Sequence, residues 1–479
     1  MAQTATITIN FRGGIVSPGY LLAVMQAATD ARIEQVRFGL RQQLIMNVPQ
    51  ENLASFSKAC RQKEISYQTG TNVTPNMVSS YPAAGIFSTE GWLREGVYKD
   101  VFGLFRYEPQ LQVNICDSSQ QLVPLFTGHI NWVSSPFPHF WYLYIRLPGT
   151  QTPFCWRELI YTNDIAALSH QLEKLITRGI TTEQALYAAT QTVLTCNTKR
   201  AEHPLQPPAF SLPYYEGFNR EGNTWWLGIY RRDELFPVSF LADLCRVCLQ
   251  TGIGQLYTTP WKSIVIKGIE SGHRPLWDGV LGKYRINVRH AANELNWRVE
   301  DEEGLRLKRL VIRHFDKEDV RTYGLCFAVQ TRQRSSVSGS VVICKEARKN
   351  PDRLASLDRY SILYKKDFNP YTTEEILFRK NIPKDHVGTY LVSLCKLFYE
   401  QAVPDEAALF PTTGEPKETT PVCTTHQCMH CLTIYDEKTG DAAQQITAGT
   451  RFGELPATYA CSVCEAGVED FRECLEPLS

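Results

Sequence analysis

The 479-residue sequence predicts an α+β protein built as two pseudo-repeated halves followed by a small metal-bound β domain. Three observations carry this expectation. Sliding the chain against itself by 220 residues superposes two helix-and-strand units without a gap. A stretch from 402 to 422 concentrates Pro, Thr and Glu and has no apolar period. Beyond it stand two Cys-x-x-Cys pairs, Cys428/Cys431 and Cys461/Cys464, with 29 residues between them.

The first half, residues 1–222, opens with a helix whose face is spaced by Tyr20, Leu21 and Val24. A short turn and a strand through Ile33–Met46 follow, then a second helix over Gln50–Lys63. At the 220-residue offset the second half, 223–401, repeats the order. Phe240, Leu241 and Leu244 take the helix face, and Ile253–Ile266 takes the place of the strand segment. This register disposes of a tempting site. Cys245 and Cys248 form a third Cys-x-x-Cys, but they fall on one face of the repeated helix, where two thiols read as core packing rather than as a metal knuckle. Residues 402–422 read as a tether, and residues 423–479 as the metal domain.

Composition excludes several classes. The apolar fraction of 43% is enough for sizeable cores, and the length suggests about three domains. Formal net charge is zero, which argues against a nucleic-acid or anionic-membrane partner. The opening MAQTATITINFRGG has no basic segment followed by an apolar one, and the longest apolar candidate, Val238–Leu249, is broken by Asp243 and Arg246. The fifteen cysteines are an odd number, and the nine in the first 400 residues form no small-domain framework, which fits reduced thiols. The expectation is a cytoplasmic protein. No Gly-rich phosphate cradle, Ser/His/Asp set or His-Glu-x-x-His motif occurs.

Four thiolates on two tight loops are what a tetrahedral iron or zinc ion requires. From Cys428 the chain reads CMHCLTIYDEKTGDAAQQITAGTRFGELPATYACSVC, with Phe471 beyond, and this segment resembles rubredoxin. Tyr435, Phe452, Tyr459 and Phe471 can supply the aromatic core that many zinc ribbons lack, which favours iron and leaves structural zinc as the alternative. The resemblance implies single-electron transfer at one iron held by Cys428, Cys431, Cys461 and Cys464, insulated by Tyr435, Phe452 and Tyr459. The family usually has glycine after each Cys pair, where this chain has Leu432 and Glu465. His426 and His430 flank the first knuckle; with four cysteines already completing the shell, they are expected to face solvent.

In the first half, Arg37-Phe-Gly-Leu-Arg41-Gln42, with Asn72-Val73 and Pro82-Ala-Ala-Gly85 downstream, resembles the assimilatory nitrite and sulfite reductases. Thr258–Lys262 of the second half is similar to the matching part of that superfamily. The resemblance implies ferredoxin-like half-domains joined to mixed-sheet α/β parts. It also implies sirohaem, whose carboxylates would be gripped by Arg37 and Arg41; ion pairing of these arginines with Glu34 or a neighbouring helix is the other reading. The family's 4Fe-4S cluster needs Cys-x5-Cys and Cys-x3-Cys, and no two of the fifteen cysteines have either spacing. The segment Glu108–Val113, which stands where the family places substrate-side cations, contains no Lys or Arg.

The sequence therefore points to an electron carrier with one iron, no 4Fe-4S cluster and no catalytic residue, whose partner is a reductase or oxidase. Two alternatives stand beside it: a cluster-less sirohaem oxidoreductase fed by its own rubredoxin domain, and a zinc-bound scaffold for a reductive assimilation pathway. Charge adds a clue about docking. Residues 423–479 hold nine acidic side chains against Lys438, Arg451 and Arg472, whereas 345–384 is locally basic through Lys345, Arg348, Lys349, Arg353, Lys365, Lys366, Arg379 and Lys380.

Overall fold

The computed structural model describes residues 4–474, apart from 71–72, 88–90, 120–126, 151–152, 202–204, 206–209, 211–214, 289, 292, 333–334, 336, 348–357, 373, 403–424, 432 and 457. The chain divides into two compact units, Met1–Ala402 and Val403–Ser479. The expected tether lies outside the described residues, except for Ala402 at the end of the helix Val387–Ala402.

The larger unit is built twice. Strand Thr4–Ile9 pairs antiparallel with Leu44–Pro49, which pairs with Gln35–Phe38. In the second half Thr224–Ile229, Ile264–Glu270 and Leu256–Thr258 repeat that sheet at the same offset. Helix Pro18–Asp30 starts where Ser17 Oγ accepts the Tyr20 N–H and Pro18 occupies the first turn. It buries Leu21, Val24, Met25 and Ala28 against Val238–Gln250, the equivalent helix, which presents Phe240, Leu241, Leu244, Cys245 and Cys248. Both cysteines of that third Cys-x-x-Cys are fully buried in this apolar core.

The halves also exchange edge strands. Phe236–Pro237 of the second half joins the first sheet, with Phe236 opposite Val36. Ile15–Val16 of the first half joins the second sheet, with Val16 opposite Leu256. Each exchange covers a sheet edge that would otherwise expose unpaired backbone groups.

The segment expected as one strand through Ile33–Met46 is a hairpin. Gly39 N–H donates to Gln43 O at 2.8 Å, and Gln42 takes a φ of 62° at the turn. The repeat does the same, with Thr259 N–H donating to Ser263 O at 3.0 Å and Lys262 at a φ of 58°. Apolar alternation runs on across so tight a reversal, so the pattern alone does not separate one strand from two.

Each half then adds a mixed α/β part. In the first, Val78–Ser79, Val113–Cys116 and Ile130–Ser134 run parallel before Phe140–Ile145 turns antiparallel. In the second, Trp297–Val299, Phe327–Gln330 and Val341–Lys345 run parallel, followed by antiparallel Arg359–Lys365 and Glu375–Pro383. Helices Ile165–Thr177 and Glu302–Lys317 contribute their apolar faces to the two corresponding cores. No helix among the described residues is long and apolar enough to cross a membrane.

Two buried polar devices tie the body together. Gln42, fully buried, donates to Ser79 O and to Thr258 O at 2.9 Å, and its own carbonyl accepts the Thr258 hydroxyl at 2.8 Å. Gly14 lies against that amide, where an added Cβ would sit 2.4 Å from Gln42 Nε2, so only glycine fits. At the pseudo-equivalent place Glu234 stands instead, clasped by Lys262 and Lys308.

Candidate metal centre

The smaller unit is a three-stranded antiparallel sheet with Thr425–Cys428 between Ile434–Asp436 and Phe471–Cys474. Each Cys-x-x-Cys closes a tight turn by backbone bonding. Cys428 N–H donates to Thr433 O and Cys461 N–H to Ala466 O, both at 2.8 Å. The turns bring the Sγ atoms of Cys428, Cys431, Cys461 and Cys464 within 4.8 Å of one another. Cys428 and Cys464 Sγ are 3.5 Å apart, and Cys431 and Cys461 Sγ 3.4 Å. A tetrahedron with metal–sulfur bonds of about 2.3 Å has edges of about 3.8 Å, so the donor set fits one thiophilic ion. Among the described residues no other group of His, Cys, Asp and Glu side chains has this geometry.

The four sulfurs differ in environment. Cys428 and Cys461 are buried, Cys431 is half-buried, and Cys464 is exposed. The Thr433 hydroxyl, 3.1 Å from Cys431 Sγ, and the Thr433 backbone N–H favour the thiolate and pull this thiol down to about 6. Beneath the sulfurs, Tyr435 packs edge-on against Phe452 and Tyr459, each at 5.7 Å, and Phe471 closes the cluster at 5.4 Å from Phe452. The phenols are anchored, Tyr435 to Thr450 O at 2.8 Å and Tyr459 to Asp441 at 3.1 Å.

His426 departs from expectation. Its ring stacks flat on Phe452 at 3.8 Å and its Nδ1 is buried without a hydrogen-bond partner, so it belongs to the aromatic core. The strand register opposite Tyr435 turns it inward, a placement that its distance from the cysteines in sequence did not reveal. His430 is exposed, as expected, 3.3 Å from Asp470.

Glu465 adopts a φ of 61°, the left-handed backbone that glycine tolerates and other residues resist. Leu432, at the other glycine position, lies outside the described residues. Glu465→Gly is expected to stabilise the unit by about 1 kcal/mol, seen as a later loss of metal-thiolate absorbance during guanidinium unfolding.

A three-stranded fold closed around four cysteine sulfurs beside an aromatic cluster defines a one-metal thiolate domain. The rubredoxin family profile matches residues 425–471. Rubredoxin-2 of Chlorobaculum tepidum is 47% identical over 47 residues, 10% of this chain and 90% of that protein. The probable Rubredoxin-2 of Methanocaldococcus jannaschii is 44% identical over 48 residues, covering 10% of this chain and 86% of its own. Through residues 425–471 the chain belongs to the rubredoxin family. The high molecular weight rubredoxin of Moorella thermoacetica is 33% identical over 70 residues, and this chain spans 31% of that protein's length. Over 82% of this chain and 81% of the other, the fold is that of the Mycobacterium tuberculosis NirA protein, with a TM-score of 0.59 at 11% identity. The chain is thus a rubredoxin domain joined to a NirA-like body.

In the body, Arg37 and Arg41 line a cleft of about 370 Å³ together with Glu234, Lys262, Arg298 and Arg332. Arg41 does not pair with Glu34. Its Nε and Nη2 donate to Asn76 O at 2.9 and 2.7 Å, and Nη2 also reaches Val113 O and Asn114 Oδ1. Arg37 makes no hydrogen bond or ion pair among the described residues. No cysteine is among the residues lining the cleft. These residues do not fit a sirohaem. Much of the Arg41 guanidinium is already committed to backbone, Lys262 is held by Glu234, and the volume lies at the low end of the roughly 300–1,000 Å³ of sites for drug-sized ligands.

Three lysines of the basic stretch 345–384 are paired with carboxylates within the body. Lys345 binds Glu303 and, at 2.9 Å, Asp358; Lys365 binds Glu375 at 2.7 Å; Lys366 lies 3.2 Å from Glu374. Arg379 sits over the Tyr390 ring at 5.3 Å, and Arg348, Lys349 and Arg353 lie outside the described residues. Of these carboxylates only Glu303 comes from outside the stretch.

Proposed function

We propose that Cys428, Cys431, Cys461 and Cys464 bind one iron ion, and that the protein carries single electrons to or from a redox partner protein, a reductase or oxidase, in the cytoplasm. The single observation that carries this reading is the closed set of four Sγ atoms within 4.8 Å of one another, on a domain of the rubredoxin family. Iron in such a shell supplies a one-electron change between ferric and ferrous with no open coordination position. Tyr435, Phe452 and Tyr459 keep water from one side of the sulfurs, and the Thr433 donors favour a thiolate at Cys431. The opposite side is open. Cys464 is exposed, and the apolar Met429 and Val463 of the two knuckles are 50% and 68% exposed, a small apolar surface suited to brief docking.

The body supplies no 4Fe-4S ligand set in this reading and takes no catalytic step. The visible spectrum of the purified full-length chain, recorded before and after dithionite with elemental analysis, tests the proposal. Ferric-thiolate bands that bleach on reduction, with one iron per chain, are expected. Colourless protein with one zinc would instead make the chain a scaffold, and an intense Soret band would make the body a haem enzyme.

A further inference from the structure

The cleft of the body has a feature that neither electron transfer nor the metal centre uses. Arg298, on the strand Trp297–Val299, lines the cleft and is only 5% exposed, yet its Nε and Nη1 are buried with no hydrogen-bond partner. Unpartnered donors on a buried guanidinium are costly, so such a group persists where something else completes it. The lining holds five cations, Arg37, Arg41, Lys262, Arg298 and Arg332, against two carboxylates, Glu234 and Glu300. Lys262 is held by Glu234, and Arg332 lies 3.6 Å from Asp301, which leaves Arg37, Arg41 and Arg298 as the excess positive charge. Burial, and then the neighbouring charges of Arg298 and Arg146, pull the Arg41 guanidinium below its usual range.

The second half confirms that this charge is particular to one side. At the 220-residue offset Arg37 becomes Tyr257 and Arg41 becomes Trp261, 4% and 1% exposed, so the equivalent place is filled with aromatic rings. Gln112 Oε1, on another residue lining the cleft, is also buried without a partner and matches a hydroxyl donor on an occupant.

We infer that the cleft between Arg37, Arg41 and Arg298 binds a compact hydroxylated oxyanion of carboxylate or phosphate type, with the Arg298 guanidinium as its principal contact, rather than a tetrapyrrole. Charged guanidinium N–H donors are a recognition element for carboxylate and phosphate oxygens. The volume of about 370 Å³ suits a small metabolite and leaves no room for a macrocycle with its ring of carboxylates.

The test is thermal unfolding of the full-length chain, followed by tryptophan fluorescence, with citrate and with inorganic phosphate titrated against chloride at matched ionic strength. Citrate, which carries both carboxylates and a hydroxyl, is expected to raise the midpoint in a saturable way, and phosphate to do so at higher concentration. If phosphate acts at the lower concentration, the occupant is a phosphate compound and the Arg298 assignment still stands. Arg298→Met is expected to weaken the response at least tenfold, and Arg37→Gln, at a half-buried position, to weaken it in a variant whose fold is not at risk. The ferric-thiolate spectrum of both variants should be unchanged, which separates this inference from the reading of the metal centre. A response no greater than that of chloride, a response that survives both substitutions, or one tightly bound tetrapyrrole per chain would overturn it.

Discussion

Cys461→Ser is expected to release the metal and unfold the smaller unit. Cys461 is 1% exposed, and its backbone closes the second knuckle through Ala466. A serine hydroxyl stays protonated where a thiol ionises, so it offers the ion a neutral, hard ligand in place of a soft anion. The described part of the unit is about fifty residues of short strands and 3-10 turns, with four aromatic rings for a core. Domains of this size rarely hold more than about 3–5 kcal/mol without a staple, whereas a structural metal in a thiolate site supplies on the order of 10 kcal/mol. Losing one of four ligands therefore removes more than the unit has in reserve. Iron analysis and the visible spectrum check this; Cys461→Ser protein that keeps one iron and its ferric-thiolate bands would show that the four sulfurs are not the binding shell. The aromatic-region circular dichroism should lose only the contribution of the smaller unit, from Tyr435 and Tyr459, while the tryptophan fluorescence of the body, which contains all nine tryptophans, should not change.

The second large effect is expected in the body. Glu234 is 2% exposed and bridges two buried ammonium groups, with Lys308 Nζ 2.9 Å from Oε1 and Lys262 on Oε2. Lys308 also donates to the Tyr230 hydroxyl at 2.9 Å. Glu234→Ala leaves two positive charges facing each other out of water, and breaking such a pair from one side costs about 3–5 kcal/mol. Urea unfolding followed by tryptophan fluorescence should show the midpoint fall accordingly, whereas Arg309→Ala, which removes an exposed pair with Asp233, should cost no more than about 1 kcal/mol. Comparable losses in the two variants would contradict the assignment. The same cluster fixes a pH dependence. Burial by itself would raise the Glu234 carboxyl, but Lys262 and then Lys308 outweigh it and hold it at about 2. A folded value below the unfolded one means that the stabilisation is full above about pH 4.3 and is lost as pH falls toward 2. The acid limb of the stability curve should shrink in Glu234→Ala.

The repeat illustrates how far pattern alone reaches. Helices Pro18–Asp30 and Val238–Gln250 stand at the 220-residue offset because both need the same apolar face, and that spacing is written in the chain. The hairpin at Gln42 was not visible as such, since its turn depends on one left-handed residue and a glycine rather than on a break in hydrophobicity. Gln42 itself was quoted only as part of a motif, and its role in bonding the two halves follows from Ser79 and Thr258, which lie far from it in sequence. The inward placement of His426 was not legible because Phe452, the ring it stacks on, comes from far along the sequence.

What the sequence determined by itself is the local chemistry: two knuckles with fixed spacing, four aromatic residues between and after them, and a doubled apolar pattern. Such features depend on covalent spacing and side-chain type, which no fold rearranges. Only the tertiary structure decided which sulfurs are buried and which one meets solvent, that Arg41 is anchored on backbone while Arg298 is left without a partner, and that Glu234 sits between two lysines. Burial and pairing are properties of groups brought together from distant parts of the chain, and their energies arise only once water has been displaced from between them.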